Sequence, residues 1–136
     1  MTVEKATMPA ALPPARECCP TTTRRRIAEE GVLLVDVRER PDFERLTLDV
    51  PEIVNIPFSE FEERFSELPR DRELVLVSAD GGESLKATYY LMFQGYTRVA
   101  NMSNGVAKWL FRGFPVKGDP ATLAVSTGDA SGCCPS

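Results

Sequence analysis

Residues 32–37 read VLLVDV, a short run that is apolar at every position except Asp36. A segment that is apolar on both of its faces must be covered on both. A central strand of a parallel sheet meets that condition, because its crossovers lay helices on each side. ELVLVS at 73–78 repeats the pattern, and IVNI at 53–56 and RVAN at 98–101 give two further short strands. Helix signals fall between them. Residues 23–30 form a short helix stopped by Gly31. SEFEERFSELP carries Phe61, Phe65 and Leu68 at i, i+4, i+7, with Ser59 and Glu62 spaced as a capping box and Pro69 as its end. Residues 84–94 form a helix apolar nearly all round, closed by Gly95, and GVAKWLFRG forms a last one, with Val106, Trp109 and Leu110 facing in. Strand and helix alternate, so the expected fold is α/β, a parallel sheet flanked by helices on both faces. The chain divides into a mobile N-terminal tail (1–20), a globular domain (21–118) and a flexible C-terminal tail (119–136).

The composition suits one soluble globular domain: 136 residues, 43% apolar and 26% charged. A net charge of −4 argues against nucleic acid as a partner, since phosphate binding needs a basic face. Arg24, Arg25 and Arg26 are followed at once by Glu29 and Glu30, as on a solvated helix face. No apolar run reaches membrane-spanning length and no signal-peptide core is present, so no membrane partner and a cytoplasmic location are expected. The sequence has no histidine. Histidine acid–base catalysis, Cys–His dyads and histidine metal ligation are thereby excluded.

In open parallel sheets, ligands sit at the carboxyl ends of the strands. The turn Ser78, Ala79, Asp80, Gly81, Gly82, Glu83, Ser84 lies at such an end, between a strand and a helix N-terminus. Asp36 and Arg38, at the end of the neighbouring strand, read as a buried polar pair supporting it. Trp109, Tyr89 and Tyr90 read as packing residues.

Three stretches in order carry a family resemblance: LLVDVRERPDFE, VNIPFSEF and GYTRVANMSNGVAKWLFRGFPV. Together they resemble the rhodanese-like domain, a sulfurtransferase fold, over about residues 27–117. The resemblance implies an anion-binding loop of pattern C-x-x-G-x-[RK]-[ST] whose cysteine accepts a sulfane sulfur. On this chain Gly81 and Ser84 match that pattern. The cysteine is replaced by Ser78 and the basic residue by Glu83, and Asp49 stands where the family has a histidine. A serine hydroxyl is not ionised near neutrality without a base, and oxygen cannot store sulfur as a persulfide does. Asp80 and Glu83 add like charge where an anion would bind. At about 5 Å and an effective dielectric constant of about 20, each such pair costs on the order of 3 kcal/mol before screening. The expected loop is degenerate, with no catalytic residue, and an acidic side chain is free to cap the helix N-terminus itself.

Four cysteines occur as two CCP strings, Cys18-Cys19-Pro20 and Cys133-Cys134-Pro135. They are the candidate reactive thiols. Adjacent thiols can carry a persulfide, close an easily reduced disulfide, or hold a soft metal ion. The C-x₂-C spacing of zinc sites is missing. Fourteen residues separate Asp119 from Cys133, a reach of roughly 20 Å for a flexible segment. Three function classes remain open. One is a scaffold handling sulfur, thiol redox or a soft metal at Cys18, Cys19, Cys133 and Cys134, with a sulfur-donor or thiol-redox protein as partner. The others are a non-catalytic binding module and a thiosulfate-type sulfurtransferase. No cofactor is expected beyond such a metal ion.

Overall fold

A computed structural model describes residues 14–118. Five short strands form one parallel sheet: β1 (Arg16–Cys18), β2 (Leu33–Asp36), β4 (Ile53–Asn55), β5 (Leu74–Val77) and β6 (Val99–Met102). Their order across the sheet is β1-β6-β5-β2-β4. The expected α/β fold is observed. Side chains alternate between the faces, as the period of two requires. Leu33, Val35, Leu74, Leu76 and Val99 pack on one side with Phe61, Ala87 and Leu91. These last belong to α3 (Phe61–Arg64) and α4 (Gly82–Phe93). Leu34, Val75, Val77, Ala100 and Met102 pack on the other with Ile27, Val106 and Trp109, which come from α1 (Pro20–Glu30) and α5 (Gly105–Phe111). A short helix α2 (Arg40–Arg45) leads into β3 (Leu46–Leu48), which pairs antiparallel with β7 (Val116–Gly118) outside the main sheet. Among the described residues no helix is long and apolar enough to cross a membrane.

Three expectations need correction. Residues 14–20 do not belong to a tail: β1 is the sheet's edge strand, hydrogen-bonded to β6 in the register Cys18 to Met102. The SEFEERFSELP segment is not one helix but an α-turn between two 3-10 turns, Phe58–Glu60 and Phe65–Glu67. Its capping box does not form, because the Ser59 amide and hydroxyl both donate to the Glu39 carboxylate. The inward spacing survives, with Phe61 and Leu68 buried. Finally, Arg24 and Arg25 are exposed as expected, whereas Arg26 turns inward and is 5% exposed.

Trp109 anchors the second core. It is fully buried, its Nε1 donates to the Pro115 carbonyl at 2.8 Å, and its ring meets Phe114 edge to face at 5.4 Å. Trp109→Phe removes the donor and part of the ring. The expected cost is about 2 kcal/mol, seen as a lower urea midpoint at unchanged slope.

Candidate functional site

The carboxyl edge of the sheet carries two constellations, the 78–84 loop after β5 and the cysteine pair that ends β1 and opens α1. The loop is built so that Ser78 lies underneath it, 1% exposed. Its Oγ accepts the Gly81 N–H at 3.0 Å and the Ser84 N–H at 3.2 Å. The Ser84 hydroxyl donates to the acceptor-only Oδ1 of Asn101, so the 2.9 Å contact between the two hydroxyls has Ser78 as donor. One donor and two acceptor sites are all a hydroxyl has, and all three are taken. Asn101 closes the network through Nδ2, which donates to the Gly81 carbonyl at 3.3 Å.

The loop is clamped from the side. Val106 and Ala107, in the first turn of α5, donate their N–H groups to the carbonyls of Ser78 and Ala79 at 2.9 and 3.0 Å. Gly81, with φ 95°, approaches the backbone of Asn104, itself left-handed at φ 64°. Asp80 and Glu83 are exposed. Asp80 Oδ1 accepts the Gly82 N–H at 2.9 Å, an i to i+2 turn contact at the start of α4, whose N-cap Gly81 has no side-chain cap. Asp36 and Arg38 form the expected buried pair: Arg38 is bidentate to the Asp36 carboxylate and also donates to the Leu46 carbonyl at 2.6 Å. The Asn55 amide donates to the carbonyls of both. The pair ties the end of β2 to β3 and β4.

Cys18 and Cys19 are not exposed tail residues. They are 6% and 0% exposed. Cys18 ends β1 on the face covered by α1, and its carbonyl accepts the Ser103 N–H at 2.9 Å. Two strand spacings separate β1 from β5, which sets the pair roughly 10 Å from the Ser78 loop along the same sheet edge. Cys19 is the N-cap of α1 with Pro20 at the first helical position, and its thiol lies 3.5 Å from the Thr22 hydroxyl. Arg26 donates through Nη1 to the Cys18 sulfur at 3.3 Å, through Nε to Glu30 at 3.1 Å and through Nη2 to Glu73 at 2.7 Å. Burial is the largest single influence on the Arg26 guanidinium and acts to lower its pKa. The contacts with Cys18 and Glu30 outweigh it, and the pKa stands above its ordinary value. Burial likewise works to raise the pKa of Glu73, but hydrogen bonds from Arg98 and Arg26 hold that carboxyl below its usual range. Cys133 and Cys134 lie outside the described residues.

Sequence reasoning missed Asn101 and Arg26. Asn101 carries no local signal. The inward turn of Arg26 was foreshadowed by its spacing from Cys19 and Thr23, which puts all three on one helix face. Among the described residues, no three His, Cys, Asp or Glu side chains gather as metal ligands.

The family model for the rhodanese-like domain matches residues 20–111. A sulfurtransferase of Allochromatium vinosum is 37% identical over 92 residues, covering 67% of this chain and 84% of that protein. Thiosulfate sulfurtransferase 18 of Arabidopsis thaliana is 32% identical over 102 residues, covering 66% and 75%. Among solved structures, a rhodanese-related protein from Thermoplasma volcanium superposes with a TM-score of 0.68 at 25% identity, over 76% of this chain and 99% of that one.

Proposed function

This chain belongs to the rhodanese-like domain family, and from that premise we propose that it handles sulfane sulfur on its cysteine pairs rather than at its loop. The observation that carries the reading is the state of Ser78: every hydrogen-bonding site of its hydroxyl is engaged within the fold, and the sequence has no histidine to act as its base. The sulfurtransferase relatives supply the chemistry of the family. The thiols at Cys18 and Cys19 supply sulfur acceptors on the same sheet edge. A donor reaches them when the edge opens. β1 is three residues long and bonds to a single neighbour, so it is among the cheapest parts of the sheet to release.

The test is incubation of the reduced protein with glutathione persulfide or thiosulfate, followed by intact-mass and peptide mapping. Uptake of sulfur on cysteine is expected, unchanged in Ser78→Ala and lost when all four cysteines are serine. Wild-type protein that gains no sulfur from either donor defeats the reading. A second reading, a non-catalytic module for a basic partner, draws on the exposed carboxylates of Asp80 and Glu83 at the loop rim. Binding that weakens in Asp80→Asn with Glu83→Gln and survives loss of the cysteines would favour it.

A further inference from the structure

Resting on the sulfur-handling reading, we propose that Cys18 is the atom that bears the sulfur, and that Arg26 and Thr23 form a buried pocket for its anionic outer atom. The Arg26 guanidinium touches the Cys18 sulfur at 3.3 Å. Its Nε and Nη2 bond the Glu30 and Glu73 carboxylates, which leaves Nη1 as the arm that donates to sulfur, whether a thiolate or the terminal sulfur of a persulfide. The second observation is independent of the thiols. Thr23 is fully buried, and its Oγ1 is one of two buried side-chain oxygens among the described residues with no hydrogen-bond partner. Such an orphan costs about 1–3 kcal/mol and calls for an occupant.

Its position says which occupant. Thr23 follows Cys19 by four residues, and its N–H donates to the Cys19 carbonyl at 2.9 Å. It precedes Arg26 by three, so Cys19, Thr23 and Arg26 share the inward face of α1. Side chains on a helix tilt toward its N-terminus, which leans the Thr23 Cβ toward the turn carrying the cysteines. The helix N-terminus adds its own preference for negative charge. A buried hydroxyl without a partner and the guanidinium that reaches Cys18 thus share one face of α1.

The chemistry balances without an oxidant. The Cys18 thiolate attacks the outer sulfur of a low-molecular-weight persulfide. A new S–S bond forms at Cys18, the donor's S–S bond breaks, and the departing donor thiolate takes the proton of the outer sulfur and leaves as a thiol. Sulfane sulfur moves from one thiol to another with no net redox change, and the outer sulfur now on Cys18 is held as an anion.

The test uses the full chain with Cys133→Ser and Cys134→Ser, loaded with glutathione persulfide. Fragmentation mass spectrometry is expected to find one added sulfur on Cys18. Cys18→Ser loses it. Thr23→Val is expected to shed the sulfur about tenfold faster, the worth of one hydrogen bond to a charged group. Thr23→Ser restores the wild-type rate. A purely structural Thr23 gives the reverse pattern in thermal melts, with Val tolerated, Ser weakened and sulfur retention unmoved, and that result overturns the proposal. Sulfur found on Cys19 alone overturns it too. Should the unmutated chain load only Cys133 and Cys134, this pocket falls while the sulfur-handling reading stands. If no cysteine loads, both fall.

Discussion

Ser78→Cys combined with Glu83→Arg is expected to raise thiosulfate-to-cyanide transfer at the loop above the level of the natural chain, measured as thiocyanate formed per unit time. The backbone donors for a thiolate are already in place. A cysteine Sγ at this position inherits the N–H groups of Gly81 and Ser84 that now point at the Ser78 oxygen. It also lies at the N-terminus of the twelve-residue α4. Backbone donors and a helix end together lower a thiol pKa and hold the thiolate ready for attack. Glu83 must change as well, because it sits in the first turn of the same helix and repels an anionic donor. Glu83 is exposed, so solvent screens part of that repulsion. The double variant should therefore exceed Ser78→Cys alone by about tenfold, less than an unscreened pair would give. Asp80 remains in both and keeps each below a fully basic loop. Activity in Ser78→Cys equal to that of the double variant would show that Glu83 plays no part. A folded double variant with no activity would show that the loop does not admit the donor.

The parts of this molecule that were legible in the sequence are those where one physical demand acts over several consecutive residues. β2 and β5 are buried on both faces, so VLLVDV and ELVLVS announce themselves. The family motifs reach across the whole domain in the same way. What escaped were elements too short for any period to show. β1, β3 and β7 have three residues each, and β1 offers only Cys18 as an inward apolar position. The start of α1 was misplaced because Cys19 occupies an N-cap where Ser, Thr, Asp or Asn is usual, although Pro20 at the first helical position was the available clue. The failed capping box has the opposite cause: Ser59 had a local signal, and a distant carboxylate, Glu39, outbid it. At the site, a serine at position 78, where the family resemblance implies a cysteine, is read from the residues themselves. The engagement of the Ser78 hydroxyl is not, because it depends on Asn101, which arrives from another strand.

Gly105→Ala is expected to be far more damaging than Gly31→Ala, and the contrast isolates how the loop is held. Both glycines have nearly the same left-handed backbone, φ 58° and 65°. The strain of placing an L-residue there is common to both, about 1–2 kcal/mol. Gly31 closes α1 with nothing within 4 Å of an added Cβ, so strain is its whole cost. At Gly105 the same methyl would lie 2.3 Å from the Ser78 carbonyl oxygen and 2.6 Å from that of Ala79. Those carbonyls accept the N–H groups of Val106 and Ala107, so they cannot retreat without breaking the clamp between the loop and α5. Overpacking against backbone adds to the strain, for a total of about 4 kcal/mol. Chemical denaturation of the two variants reads the difference directly. Amide exchange should also rise at Gly81 and Ser84 in Gly105→Ala and stay slow there in Gly31→Ala, because displacing the Ser78 carbonyl drags its hydroxyl away from both N–H groups. Equal costs for the two substitutions would mean that the loop yields freely at α5. The saturation of Ser78 would then be no barrier to its chemistry, and the case for moving sulfur transfer to Cys18 would lose its main support.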